Sequence, residues 1–120
     1  MAQSHKLGNW GEEMARSFLE MCGYVCLEQQ YRKQSGELDL VVRRADEVVF
    51  VEVKTRGPNS LGPPEAWVDA KKISHLKQTA RHWISENPQE RPCNFRFDVV
   101  AVEFLGHDRG MNIRHLAGAI

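Results

Sequence analysis

The chain lacks any apolar run close to the ~20 residues that a bilayer-crossing helix needs, and its opening residues, MAQSHKLGNWGEE, contain no apolar signal-like core. A cytoplasmic protein with no membrane partner is therefore expected. Cysteine is scarce: Cys22, Cys26 and Cys93 are three, too few and too irregular for a disulfide framework. The spacing of the first two matches no usual zinc signature, so reduced, buried thiols are expected. A surplus of either charge is also missing, since Lys plus Arg and Asp plus Glu both count 16 and the formal net charge is zero. That balance argues against a strongly electrostatic nucleic-acid binder and leaves room for a local basic face. No internal repeat and no low-complexity segment interrupts the sequence.

What is present is an ordinary globular composition, 42% hydrophobic and 27% charged over 120 residues, which fits one domain spanning residues 1–120. From residue 9 to 22, Trp10, Met14, Phe18 with Leu19, and Met21 with Cys22 recur at helical spacing, and Gly23 is a stop signal. Residues 24–27 form a short strand candidate, followed by a polar connection in which Gly36 suits a turn or a close approach. Residues 37–43 and 48–55 are valine-rich strands joined by Arg44-Ala45-Asp46, an antiparallel hairpin expected at the centre of the sheet. Prolines and glycines then predict a flexible loop over about residues 57–68. Asp69 is a plausible N-cap for a helix to about Asn87, with Ile73, Leu76, Ala80, Trp83 and Ile84 as its core stripe and Pro88 closing it. NFRFDVVAVEF (94–104) reads as a strand buried on both faces and MNIRHL (111–116) as an edge strand. The order α-β-β-β-α-β-β describes an α/β fold, a central mixed β-sheet flanked by helices.

The hairpin, GELDLVVRRADEVVFVEVKTR, carries charges where strands usually shed them. Alternation puts Glu52 and Lys54 on the face of Phe50, opposite Val49, Val51 and Val53. A turn near Ala45 pairs residues whose numbers sum to about 91, which sets Asp39 opposite or diagonal to Glu52. Two carboxylates at that distance repel unless a cation lies between them. Converging Asp and Glu oxygens suit Mg²⁺ or Mn²⁺, with water and a substrate phosphate completing the octahedron, and Lys54 one pleat away could orient a water. The same residues also fit a structural Glu-Lys pair at a strand end, or a buried salt-bridge network in an ordinary α/β domain.

G-x-x-G-E-E at Gly8 to Glu13, GELDL at 36–40, VFVEVKTR at 49–56 and RFDVVAVE at 96–103 together resemble the YraN family over nearly the whole chain. Those small bacterial proteins look like nucleases of the PD-(D/E)xK superfamily, in particular archaeal Holliday-junction resolvases. The resemblance implies a restriction-endonuclease-like core, in which Asp39 is the hairpin aspartate, Glu52 the motif glutamate and Lys54 the motif lysine. It further implies that Asp39, Glu52 and the Val53 carbonyl hold the metal, with Glu12, four residues after Gly8, adding a carboxylate. Where the superfamily pattern places proline before the aspartate, this chain has Leu38, as is usual for the YraN-like branch.

Glu12 is preferred to Glu13 because it lies one residue off the apolar stripe. Asp98 is expected to pair structurally with Arg96 or Arg56. Lys71, His75 and Gln78, with His82, line one face of the second helix, which reads as solvated surface or as a phosphate contact. Trp10 and Trp83 belong to core stripes, Trp67 is open, and the five histidines lack metal-ligand spacing. The expected function is a Mg²⁺- or Mn²⁺-dependent endonuclease acting on DNA, branched DNA included. The loop after Lys54 would close over substrate and the protein would be a homodimer by analogy. The competing expectation is a non-catalytic nucleic-acid or protein-binding module on the same fold.

Overall fold

The valine-rich segments pair as their alternation dictates, β2 (Gly36–Arg44) running antiparallel to β3 (Glu47–Arg56). The computed structural model describes the backbone of residues 2–57 and 69–120, with side chains from Asn9 onward. The loop expected over about residues 57–68, Trp67 included, lies outside the described residues beyond Gly57. Around the hairpin are α1 (Ala2–Met21), β1 (Val25–Lys33), α2 (Ala70–Glu86), β4 (Asn94–Gly106) and β5 (Gly110–Leu116). The element order is the expected α-β-β-β-α-β-β, and the five strands form one mixed sheet in the order β1-β2-β3-β4-β5. Among the described strands only β3 and β4 are parallel, a pairing that requires a long crossover, and α2 lies within it.

The sheet is covered on both faces, so the middles of its buried strands are mainly apolar, with Glu52 and Asp98 as exceptions. On one face α1 packs through Ala15 and Leu19 against Leu40, Val42, Val49, Val51, Val100 and Val102. On the other, Leu76, Ala80 and Trp83 of α2 pack against Leu38, Val41, Val48 and Phe50. The Phe50 ring meets the edge of Trp83 at 5.8 Å and lies against Phe97 at 5.2 Å. Asp69 caps α2 as its position suggests, accepting the Lys72 N–H at 2.8 Å.

Several boundaries differ from the sequence expectation. β1 continues through Glu28, Gln29, Gln30, Arg32 and Lys33, a polar run that has no strand signature of its own and is ordered by pairing with β2 at the sheet edge. α1 begins well before Asn9, in turns whose sequence shows no apolar period. Its buried stripe is Gly11, Ala15 and Leu19, whereas Met21, 87% exposed, and Cys22 face out. The expectation of three buried thiols is likewise corrected: Cys22 is exposed, and Cys26 and Cys93 are half-buried.

A polar cluster lies within this fold. Asp98, on β4, has no exposed surface, yet its oxygens take Arg96 Nε at 2.8 Å, Arg96 Nη2 at 2.9 Å, His115 Nε2 at 2.6 Å and the Gly118 N–H at 2.9 Å. Arg96 continues to Glu47 at 2.8 Å and to the hydroxyl of Tyr24, the residue before β1, at 3.1 Å, so the cluster ties β3, β4 and β5 to the start of the sheet's first strand. Asp98 is thus held by Arg96 as the sequence suggested, and Arg56 has no part among its hydrogen bonds. Burial pushes its carboxyl pKa up, but His115, Arg96 and the Gly118 amide outweigh burial and hold it at about 2, below the ordinary 3.8. A depressed carboxyl stabilises the fold above its unfolded pKa, and that contribution disappears as pH falls from about 4 to about 2. Asp98→Ala should cost about 3–5 kcal/mol at neutral pH and should flatten the loss of stability over that acid range. Denaturant unfolding at several pH values checks this; parallel acid limbs for both proteins would contradict it.

Candidate metal and nucleic-acid site

The register of the hairpin places its charges. Leu40 faces Val51 and Arg44 faces Glu47, as a turn at Ala45 requires, and the ladder stops at Leu40. At the next residue β2 has parted from β3, and the Asp39 side chain substitutes for main chain: its Oδ2 accepts the Val53 N–H at 2.8 Å. The same point breaks the alternation of β2. Leu38 and Leu40 are two residues apart, yet they enter opposite cores, so the strand slips by one position at Asp39. Opposite, on β1, Gln30 adopts a left-handed φ of 50° and sits between the paired residues Gln29 and Tyr31. The irregularity frees Asp39 to turn from the core toward the edge of β3.

Glu52 follows the regular alternation onto the α2 face with Phe50, and only 5% of it is exposed. Its Oε1 lies 3.4 Å from Lys54 Nζ and 3.4 Å from Lys72 Nζ, the latter arriving from the first turn of α2. Its Oε2 is buried with no hydrogen-bond partner among the described residues. A buried carboxylate oxygen left in that condition costs on the order of 1–3 kcal/mol or more, which a cation ligand would recover.

Glu12 reaches the same region from α1. Gly11 is buried so tightly that a Cβ there would stand 1.9 Å from Thr55 Oγ1, so α1 touches the end of β3 at the one residue that permits it. The next residue, Glu12, is half-buried and accepts Gln30 Nε2 at 2.9 Å; Glu13 is exposed. Burial raises the Glu12 pKa, opposed by Gln30 and reinforced by Glu37 and Glu52. Glu12, Glu13, Asp39, Val53 and Lys54 line a cleft of about 930 Å³ shared with Arg32, Glu37 and Arg56.

Among the described residues, no three Asp, Glu, His or Cys side chains converge closely enough to hold a metal ion. Mg²⁺ requires fewer, since it is commonly held by one or two carboxylates together with waters and substrate phosphate. The groups singled out in the sequence, the Asp39 and Glu52 carboxyls and the Val53 carbonyl, are hard oxygen donors, and one of them, Glu52 Oε2, has no partner among the described residues; that chemistry suits Mg²⁺ or Mn²⁺ rather than a soft metal. Lys71, His75 and Gln78 are exposed on α2, and none of them lines the cleft.

The match to known proteins covers the same residues. The model of the family described as "Uncharacterised protein family UPF0102" matches residues 11–102. The chain belongs to the UPF0102 family. A UPF0102 protein of Syntrophomonas wolfei is 40% identical over 116 residues, covering 97% of this chain and 98% of that one. A UPF0102 protein of Christiangramia forsetii is 34% identical over 119 residues, with 99% and 97% covered, and one of Thermotoga petrophila is 41% identical over 100 residues, with 83% and 91% covered. The UPF0102 match begins at Gly11, the residue that sets α1 against β3, and ends within β4.

Three residues of this region were given no role of their own in the sequence reading. Gly11 had a signal, because it continues the four-residue stripe of Ala15 and Leu19. Lys72 had one too, since it stands one turn before Leu76 and so heads the core-facing stripe of α2. Gln30 had none, its role arising from a backbone irregularity that only pairing with β2 creates.

Burial, then the Glu52 charge, pushes the Asp39 pKa from the ordinary 3.8 up to about 8. A carboxyl raised in this way favours the fold at low pH, and that contribution is lost as pH rises from about 4 to about 8. In EDTA, Asp39→Asn, which keeps an acceptor for the Val53 N–H, should therefore exceed the parent protein in stability at pH 9 by roughly 2–4 kcal/mol. Unfolding curves at pH 5 and 9 test this, and an Asn variant weaker at both would refute it.

Proposed function

We propose that this UPF0102 family member is a metal-dependent endonuclease that hydrolyses DNA phosphodiesters, with branched DNA as the substrate class. The observation carrying the reading is Glu52 Oε2, a buried carboxylate oxygen without a partner among the described residues; Glu52 does not itself line the cleft, but its charge acts on Asp39, and Asp39 and the adjacent Val53 and Lys54 do line it. Asp39, Glu52 and the Val53 carbonyl would hold Mg²⁺ or Mn²⁺, and Glu12 would add a carboxylate on the α1 side. When bound, the cation would polarise the scissile phosphate and lower the pKa of a nearby water.

The chain's own groups have separate tasks. Lys54, 19% exposed at the side of Glu52, would orient the attacking water and offset charge developing on the phosphate. Arg32 and Arg56, in the cleft wall, offer cations to the flanking phosphates. Branched DNA as substrate and a homodimer as the acting form come from the resolvase-like motif arrangement, since two symmetric cuts require two sites. A net charge of zero favours a second reading, in which the same cleft binds nucleic acid or protein without turnover.

Cleavage of linear, flapped and four-way DNA with Mg²⁺ or Mn²⁺ separates the readings. Product should form with the parent protein, and Glu52→Ala and Lys54→Ala should each lower the rate by about 10²-fold or more. DNA binding without cleavage under every condition would establish the non-catalytic module, and cleavage unchanged in both variants would remove these residues from the chemistry.

A further inference from the structure

Lys72 has no place in the motifs that define the carboxylate site, yet the fold brings it there. It belongs to the first turn of α2, fixed by the Asp69 cap that accepts its own N–H, and its Nζ stands 3.4 Å from Glu52 Oε1 with 44% of the side chain exposed. Lys54 Nζ stands at the same distance from the same oxygen. One buried carboxylate therefore answers to two ammonium groups on Oε1, while Oε2 has no partner among the described residues. The two lysines differ in freedom. Lys54 is largely enclosed on β3, whereas Lys72 is on a long, half-exposed stem that can swing to solvent at little cost.

We propose that Lys72 is a positioning residue that competes with the divalent cation for Glu52, so that metal binding releases α2's lysine from the site. This rests on the carboxylate site proposed above. Its physical basis is charge: a dication at Glu52 repels an ammonium a few ångströms away, and any free energy holding Lys72 on Glu52 is subtracted from metal affinity. The neighbouring Lys71 is exposed and makes no ion pair with Glu52, so it supplies the control for a general change in charge.

The test measures metal and ion pair separately. Mn²⁺ titration by calorimetry should give Lys72→Met a dissociation constant lower by about fivefold or more, with Lys71→Met within about twofold of the parent and Lys72→Arg close to it. In EDTA, Lys72→Met and Glu52→Gln should be non-additive in denaturant stability, which a lysine serving only as surface charge would not produce. Unchanged or weaker Mn²⁺ binding by Lys72→Met, an equal gain in Lys71→Met, or strict additivity in EDTA would each overturn the competition. If neither the parent nor Lys72→Met binds Mn²⁺ in a way that Glu52→Gln abolishes, the carboxylate site itself fails and the competition with it.

Discussion

The hydrogen bond from the Val53 N–H to Asp39 Oδ2 is the constraint on which the rest of the site depends. A strand that ends its pairing inside a sheet leaves its neighbour's amide without a partner, and a buried amide must find one. Here a side chain supplies it, and doing so commits a carboxylate to a half-buried position close to Glu52. Burial first, and then the charge of Glu52, pushes the Asp39 pKa up to about 8. The fold tolerates this because the surrounding strands are over-determined: β3 is paired along its length with β4, and valines cover both faces.

Everything else converges on that break. Gly11 lets α1 touch Thr55, bringing Glu12 to the cleft, and the left-handed Gln30 holds Glu12 from the β1 side. On the opposite face the capped start of α2 delivers Lys72 to Glu52. Elements from both layers thus meet at one end of the hairpin, while the Asp98 cluster ties β3, β4 and β5 together through Arg96 and His115 and reaches Tyr24 just before β1. Asp98 and Asp39 have opposite characters for a physical reason. Asp98 is surrounded by a guanidinium, an imidazole and an amide; Asp39 has one amide and a like charge.

The sequence carried the fold well because its strongest signals are periodic. The valine alternation of residues 37–55, the turn at Ala45, the Asp69 cap and the α2 stripe each follow from local chemistry, whereas the ladder that would set Asp39 opposite Glu52 stops one residue short, at Leu40. What was hidden depends on tertiary contact. The polar half of β1 is a strand only because β2 pairs with it, and the slip at Asp39 contradicts the simple alternation from which its orientation was read. Lys71, His75 and Gln78 were chosen for a shared exposed face, whereas the structure brings in Lys72, whose position at the head of the apolar stripe is the better predictor of contact with the sheet.

The central claim is that Asp39 and Glu52 form one divalent-cation site at the parting of β2 and β3. Calorimetric titration of Mn²⁺ into the parent protein and into the double variant Asp39→Asn with Glu52→Gln tests it directly. Binding of Mn²⁺ by the parent and its loss in the folded double variant is the result the account predicts; binding of equal affinity in both proteins would contradict it.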